Sequence, residues 1–351
     1  MFITLIAFLG VLALLILVHE LGHFFAARLS KVKVEELGLG FPPRLLKYKR
    51  GETLYSLNLI PLGGFCKMAG ETDPDVPGAL AAKSVKARLF VLGAGAMMNA
   101  LLPILLFTIA FMIPIHIDVG DVAVTEVAPG SPAELAGIMP GDIILGIDGH
   151  KIENIRDYSY YTHLNLGAEV TVVFERDGIQ KTASLVPRWN PPEGEGATGV
   201  TLELANITTV SQSYPFWRAV PKAGIQIWET LVLFKNEVER WFIAKEAPQV
   251  TGPIGIAQLT GQVAQGGVGL LLQFAAFISI NLAIINLLPI PALDGGRMVF
   301  VAVEGIRRGK KISPKREAMI HFIGFVVIIL GILAISYQDI LRIARGESLG
   351  P

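Results

Sequence analysis

One cysteine, Cys66, stands in 351 residues. That scarcity excludes an internal disulfide framework and a zinc site built on thiolates, and says little about compartment. Charge is also in short supply. Thirty Lys and Arg balance thirty Asp and Glu, so nothing points to nucleic acid as a partner. Charged residues make up only 17% against 52% hydrophobic, a balance too apolar for an ordinary soluble protein and suited to a membrane protein with soluble parts. No internal repeat is visible. The first segment has no basic n-region beyond the amino terminus. Its apolar stretch is long, and no A-x-A-like site follows it, so it does not read as a signal peptide.

Long apolar runs are what the chain has instead. Roughly 20 apolar residues span a bilayer as a helix, and four candidates lie at about 2–27, 89–115, 268–290 and 318–337. Basic residues orient them. Residues 28–88 carry eleven and 295–317 carry seven. Residues 116–267 carry ten, spread over a long connection that counts weakly. The basic connections are therefore expected in the cytoplasm, with both termini and the long connection outside it.

Between the spans the pattern changes. Residues 51–70, "GETLYSLNLIPLGGFCKMAG", alternate and then break at Pro61 and Gly63-Gly64, which predicts a hairpin or extended segment. Irregular backbone there is tolerated only against protein or a wet cavity, and a sheet edge could pair with an extended peptide. The plain alternative is a surface hairpin. Residues 120–188 predict a compact β-rich domain, with a hairpin turned at Asp177-Gly178, and residues 190–199 a loop. Residues 215–245 place Trp217, Trp228 and Trp241 among Lys and Arg at helical spacing. That suits an amphipathic helix on a membrane surface, or one packed on the β-rich domain.

From Phe2 to Val18 no side chain is charged, and then come His19, Glu20 and His23. Ionisable groups at such depth are costly and mark function. Four residues apart on a helix, the two histidines lie about 40° apart on one face, where two imidazoles can share a metal. The H-E-x-x-H pattern places Glu20 to polarise a water and move its proton. The alternative, buried histidines each paired with a neighbour, needs three separate partners in lipid. Catalytic zinc takes three protein ligands and leaves a position for water. Asp294 is the only acid between Glu246 and Glu304, in a stretch broken by Pro289, Pro291 and Gly295-Gly296. It could complete the set, or merely cap the following helix. In the second span Gly93, Gly95, Ala96 and Ala100 allow close helix approach. Asn99 there needs a partner, through an interhelical hydrogen bond or a direct role at the site. Two rivals to an enzyme remain at this point: a membrane scaffold binding protein tails, and a transporter with midplane ions.

"HELGH" (19–23), "NLLPIPALDG" (286–295) and "SPAELAGIMPGDIILGIDGHKI" (131–152) together resemble the site-2 proteases, intramembrane zinc metalloproteases. The likeness is to the bacterial group that includes the regulator-of-sigma-E protease, and "TGPIGIAQLTG" (251–261) adds to it. The resemblance implies an α-helical multi-pass membrane protein of four transmembrane helices with an inserted β-rich PDZ domain. It implies a membrane core in residues 1–115 and 268–351, an extracytoplasmic PDZ domain in 116–205, and an amphipathic surface region in 206–267. It implies Zn2+ held by His19, His23 and Asp294, with Glu20 as base. Asn281 and Asn286, together with Asn99, are the candidate substrate-contacting residues. It implies that 51–70 receives unwound substrate as an added strand. The partners implied are single-span membrane proteins, such as anti-sigma factors or signal-peptide remnants, and the lipid bilayer, with no nucleic acid. The location implied is the bacterial inner membrane. Departures from the family pattern include Gly95-Ala96-Met97-Met98-Asn99, which lacks the proline of many relatives, and a single PDZ-like unit.

Overall fold

A computed structural model describes residues 2–243, 251–309 and 312–346. Two compact units emerge, one from the two ends of the chain and one from residues 112–249.

The first unit holds four helices long and apolar enough to cross a membrane: Ile3–Leu29, Val85–Met112, Val268–Leu287 and Pro314–Ala344. They lie within α1 (Phe2–Leu29), α2 (Val85–Met112), α7 (Val268–Leu287) and α9 (Pro314–Ala344), matching the four expected spans. Such segments are helical because lipid offers their backbone no partner. α7 stops where Leu288, extended at φ −64 and ψ 146, precedes Pro289, as a residue before proline prefers. The chain then doubles back into α8 (Asp294–Ile306). This return is tight enough that a Cβ on Gly295 or Gly296 would run into the carbonyls of Leu288 or Ile290. A short helix, α6 (Pro253–Gln265), docks beside α9. The buried Asp339 carboxylate accepts the Gly255 N–H at 2.8 Å, serving one of the orphan donors at the start of α6. Between α2 and α8, Arg88 and Glu304 form a buried ion pair at 2.6 Å.

A hairpin joins α1 to α2, but it begins earlier than the sequence suggests. Its strands are β1 (Val34–Arg50) and β2 (Thr53–Met68), so residues 51–70 supply only its turn and second strand. Both strands bend. Leu37 lies opposite Cys66 on one side and Tyr55 on the other, and Leu39 opposite Gly64 and Leu57. Residues 46–50 pair with 53–57 beyond. The sheet therefore runs 46–50, 53–57, 36–39, 64–67, and the last run is an outer edge.

The second unit is built on a sheet of β3 (Ile115–Val127), β4 (Ile143–Ile147), β5 (His150–Lys151), β6 (Val170–Arg176), β7 (Ile179–Leu185) and β8 (Val200–Gln212). Its order is β7-β6-β4-β3-β8, with β5 beside β4. Val122, Val124, Ile144, Ile147, Val170, Val172 and Phe174 fill its core. The Asp177-Gly178 turn has both residues at positive φ, as a two-residue hairpin turn requires. Ser131 caps α3 (Pro132–Leu135) by accepting the Glu134 N–H. β8 was not anticipated. It pairs along β3 as far as Gln212 with Ile115, so 206–212 belong to the sheet and not to a surface region. Of that expected region, 244–250 lie outside the described residues, as do Lys310 and Lys311. α5 (Phe216–Ile243) packs on the β-rich unit, the second of the two readings of 215–245. Asn236 on its buried side donates to the carbonyls of His163 and Leu164, closing the end of α4 (Ile155–Leu164). Trp217 and Trp228 are exposed.

One buried charge anchors this sheet. Asp142 accepts two hydrogen bonds from Arg176, at 2.6 and 2.7 Å, and the Met139 N–H at 2.8 Å. Burial pushes its carboxyl upward, but the Arg176 guanidinium and the Met139 N–H outweigh it and leave it below the ordinary Asp value. The unfolded chain then takes up this proton first on acidification. The stabilisation is complete above the ordinary value near pH 4 and is lost as pH falls through it and below. The β-rich unit should accordingly melt lower at pH 3 than at pH 7. Asp142→Asn should melt lower at pH 7 and lose less on acidification; thermal melts of both proteins across that range check it.

Candidate metal centre

Two helices from distant parts of the sequence supply one cluster. His19 and His23 lie one turn apart near the end of α1. Asp294 opens α8 just after the proline break. His19 Nε2, His23 Nε2 and Asp294 Oδ2 form a triangle with sides of 3.1, 3.2 and 3.2 Å. Asp294 does not cap its helix: the cap residue is Leu293, with no side-chain cap bond, and the carboxylate faces the histidines. The alternative of separately paired histidines also falls away, since both converge on the same oxygen.

The rings are oriented from behind. His23 Nδ1 sits 2.9 Å from the Val91 carbonyl, which can only accept. His23 Nδ1 therefore carries a proton, and in the neutral ring Nε2 presents a lone pair to the triangle. Gly95 makes room for both rings: a Cβ there would collide with His23 Nε2 and stand 2.8 Å from His19 Nε2. The small residues of α2, read from the sequence as permitting close helix approach, admit two imidazoles. Asn99 is fully buried, so substrate does not reach it in this structure. Its side chain faces His19 Nδ1 at 3.4 Å, and its backbone carbonyl accepts from Ser279 of α7 at 2.7 Å.

The donor set suits zinc. Two imidazole nitrogens and a carboxylate oxygen are its ordinary ligands, and tetrahedral ligands at ~2.0–2.1 Å stand about 3.4 Å from one another. The triangle is close to that size, and the three donor atoms lie within 4.8 Å of one another. Without a cation or protons among them, the three atoms would confront one another lone pair to lone pair.

A cavity of about 340 Å³ opens on the cluster, lined by His19, Glu20, His23, Cys66, Asp294 and Arg297 among others. Glu20 thus shares it with the three ligand candidates, and the Cys66 backbone N–H is directed at the Glu20 carboxylate. Cys66 lies in the outer run of β2, so the sheet edge reaches the site. Arg297 and Glu71, paired at 3.0 Å, were not foreseen. Only their proximity to motif residues in the chain could have suggested them. Asn281 and Asn286 are not among the residues lining this cavity. Asn281 donates back to the Phe277 carbonyl at 3.0 Å.

The model of Peptidase family M50 matches residues 7–331. A protein of Clostridium perfringens (strain 13 / Type A), which carries a provisional zinc metalloprotease name, is 36% identical over 93% of this chain and 95% of its own. Zinc metalloprotease RasP of Geobacillus kaustophilus (strain HTA426) is 27% identical over 97% of this chain and 98% of its own. Among solved structures, the PDZ domain of an SdrC-like protein from Listeria innocua is 26% identical. It covers 24% of this chain and 93% of that one, at a TM-score of 0.21, too low to carry an argument. The family match runs through the H-E-x-x-H helix, the β-rich unit and the Asp294 turn alike, and on it the chain belongs to peptidase family M50, the family of the site-2 proteases.

Proposed function

We propose that this protein cuts peptide bonds within or near the membrane-spanning segments of single-span membrane proteins. It is a zinc metalloprotease embedded in a bacterial membrane. The observation that carries the reading is the convergence of His19, His23 and Asp294 in the membrane-spanning unit, with Glu20 in the same cavity. These three residues hold the zinc. When bound, the ion polarises the scissile carbonyl and makes water a nucleophile near neutral pH. Glu20 takes the proton of the attacking water and hands it to the leaving nitrogen. Backbone amides within a helix are shielded by their own hydrogen bonds, so the substrate unwinds before it is cut. The outer edge at 64–67 pairs with the unwound stretch as an added strand, which lays it beside Glu20. Asn281 and Asn286, on the last turns of α7, are assigned to substrate through the family likeness alone.

The finer reading follows the same likeness. The β-rich unit is a PDZ domain and lies outside the cytoplasm with both termini, as the basic connections favour. The enzyme makes a late cut in regulated proteolysis, of anti-sigma factors or of signal-peptide remnants. A scaffold or a transporter would need neither bound zinc nor Glu20. Stoichiometric zinc, removed by a chelator together with cleavage of a membrane reporter, separates the protease from both.

Three outcomes are expected. Glu20→Gln should keep its zinc and lose about 10²–10⁴-fold in cleavage; wild-type cleavage would reject Glu20 as the base. Asp294→Ala should lower zinc occupancy as well as activity, measured by metal analysis of the purified protein. Zinc that stays stoichiometric would send the search to another ligand. For the edge, N-methylating the substrate backbone at alternate positions beside the cut should lower kcat/KM by about 2–10-fold per hydrogen bond removed, from a net worth of ~0.5–1.5 kcal/mol. No effect at any position would exclude strand addition.

A further inference from the structure

Asn99 faces His19 with an amide that can be turned either way. In the structure its Nδ2 lies 3.4 Å from His19 Nδ1, while its Oδ1 is buried without a hydrogen-bond partner. The backbone at this position is fixed separately, by the hydrogen bond from Ser279. Only the carboxamide is free to choose, and its nitrogen and oxygen have nearly the same size.

Which atom His19 needs depends on what its other nitrogen does, so the argument rests on the metal reading above. A neutral imidazole carries one proton. In the metal-free site that proton belongs on Nε2, where Asp294 Oδ2 accepts it at 3.1 Å. Nδ1 is then an acceptor, and Nδ2 of Asn99 faces it only at 3.4 Å, the long limit of a hydrogen bond. With Nε2 given to zinc, the proton must be on Nδ1. The Asn99 NH2 group would then oppose it, donor against donor. Half a turn of the carboxamide brings Oδ1 into place and leaves ring and backbone where they are. His23 has no such choice, because its Nδ1 partner is a backbone carbonyl.

We propose that Asn99 is the positioning residue of His19. Its Oδ1 accepts the Nδ1–H of the zinc-bound ring and so selects the tautomer that leaves Nε2 free for the metal. One ligand of the centre is thereby fixed in its tautomer by a backbone carbonyl and the other by Asn99. Asn99 acts through His19 and not on substrate, from which burial separates it.

The test uses the full-length protein in detergent, with zinc affinity measured by competition against a chromophoric chelator. Asn99→Leu keeps the branched shape and removes the hydrogen bond, and should weaken zinc binding about 10–100-fold, the usual effect of losing the partner behind a ligand histidine. Asn99→Asp offers acceptors only and should stay within a few-fold of wild type. Excess zinc should restore cleavage by Asn99→Leu with an unchanged KM for a membrane reporter. Unchanged zinc affinity in Asn99→Leu, or a raised KM at saturating zinc, would overturn the proposal in favour of a structural or substrate-contacting role. Nitrogen spectra of ¹⁵N-histidine-labelled wild type keep the proposal open to refutation even if a variant fails to fold. Zinc-loaded His19 should show a protonated Nδ1, and an unprotonated Nδ1 would refute the proposal outright. Wild-type protein that takes up no zinc at all would sink the metal reading itself.

Discussion

Three electron-rich atoms held 3.1–3.2 Å apart repel one another unless a cation or protons lie among them. Much of the membrane unit can be understood as enforcing that convergence. Helical spacing brings His19 and His23 to one face of α1. The proline break after α7 lets Asp294 enter from a second direction. Glycines remove the atoms that would obstruct: Gly95 between the rings, and Gly295 and Gly296 where the chain turns back on its own carbonyls. Polar groups in an apolar segment are costly without partners, and each ring has one, the Val91 carbonyl behind His23 and the Asn99 amide behind His19.

Proline and glycine thus divide the labour at the break. Pro289 requires an extended residue before it and ends α7. Gly295 and Gly296 let α8 begin at once, close against the loop. His321 of α9 steadies the loop from outside, accepting the Ala292 N–H at 2.9 Å. That bond holds the backbone two residues from Asp294, so the carboxylate is aimed by contacts on both sides of the turn.

Much of this was legible in the sequence, to the extent that local pattern determines it. The four spans follow from apolar length. The cluster follows from the rarity of charge in those runs: His19, Glu20, His23 and Asp294 stand out because almost nothing else there is ionisable. Contacts set by distant pairing were not legible. β8 alternates weakly, as "VTLELANITTVSQ", and only its pairing with β3 makes it a strand of that sheet. The hairpin start was missed because Phe41, Pro42 and Pro43 interrupt β1, and the bend they sit in is satisfied by pairing with β2. Asn99 was read as a possible substrate contact because a polar residue in a span advertises function; its full burial is a tertiary fact that one sequence does not carry.

The outer run of β2 links the fold to the chemistry. An edge strand presents unpaired backbone groups and ordinarily has to be protected from chance pairing. Here the Cys66 N–H is directed at Glu20, and Glu71, a few residues on, bonds both the Met68 N–H and Arg297, at 3.3 and 3.0 Å. Arg297 lies one helical turn after Asp294. The edge therefore runs beside Glu20 at one point and is tied at another to the helix bearing Asp294. A helix entering from lipid has its backbone groups paired internally and offers this edge nothing to bind. An unwound stretch does, and pairing would return some of the hydrogen bonds lost in unwinding. If substrate adds there as proposed, selectivity for segments that open readily would follow from the same edge that brings the chain to Glu20, with no separate device needed to sense helix stability.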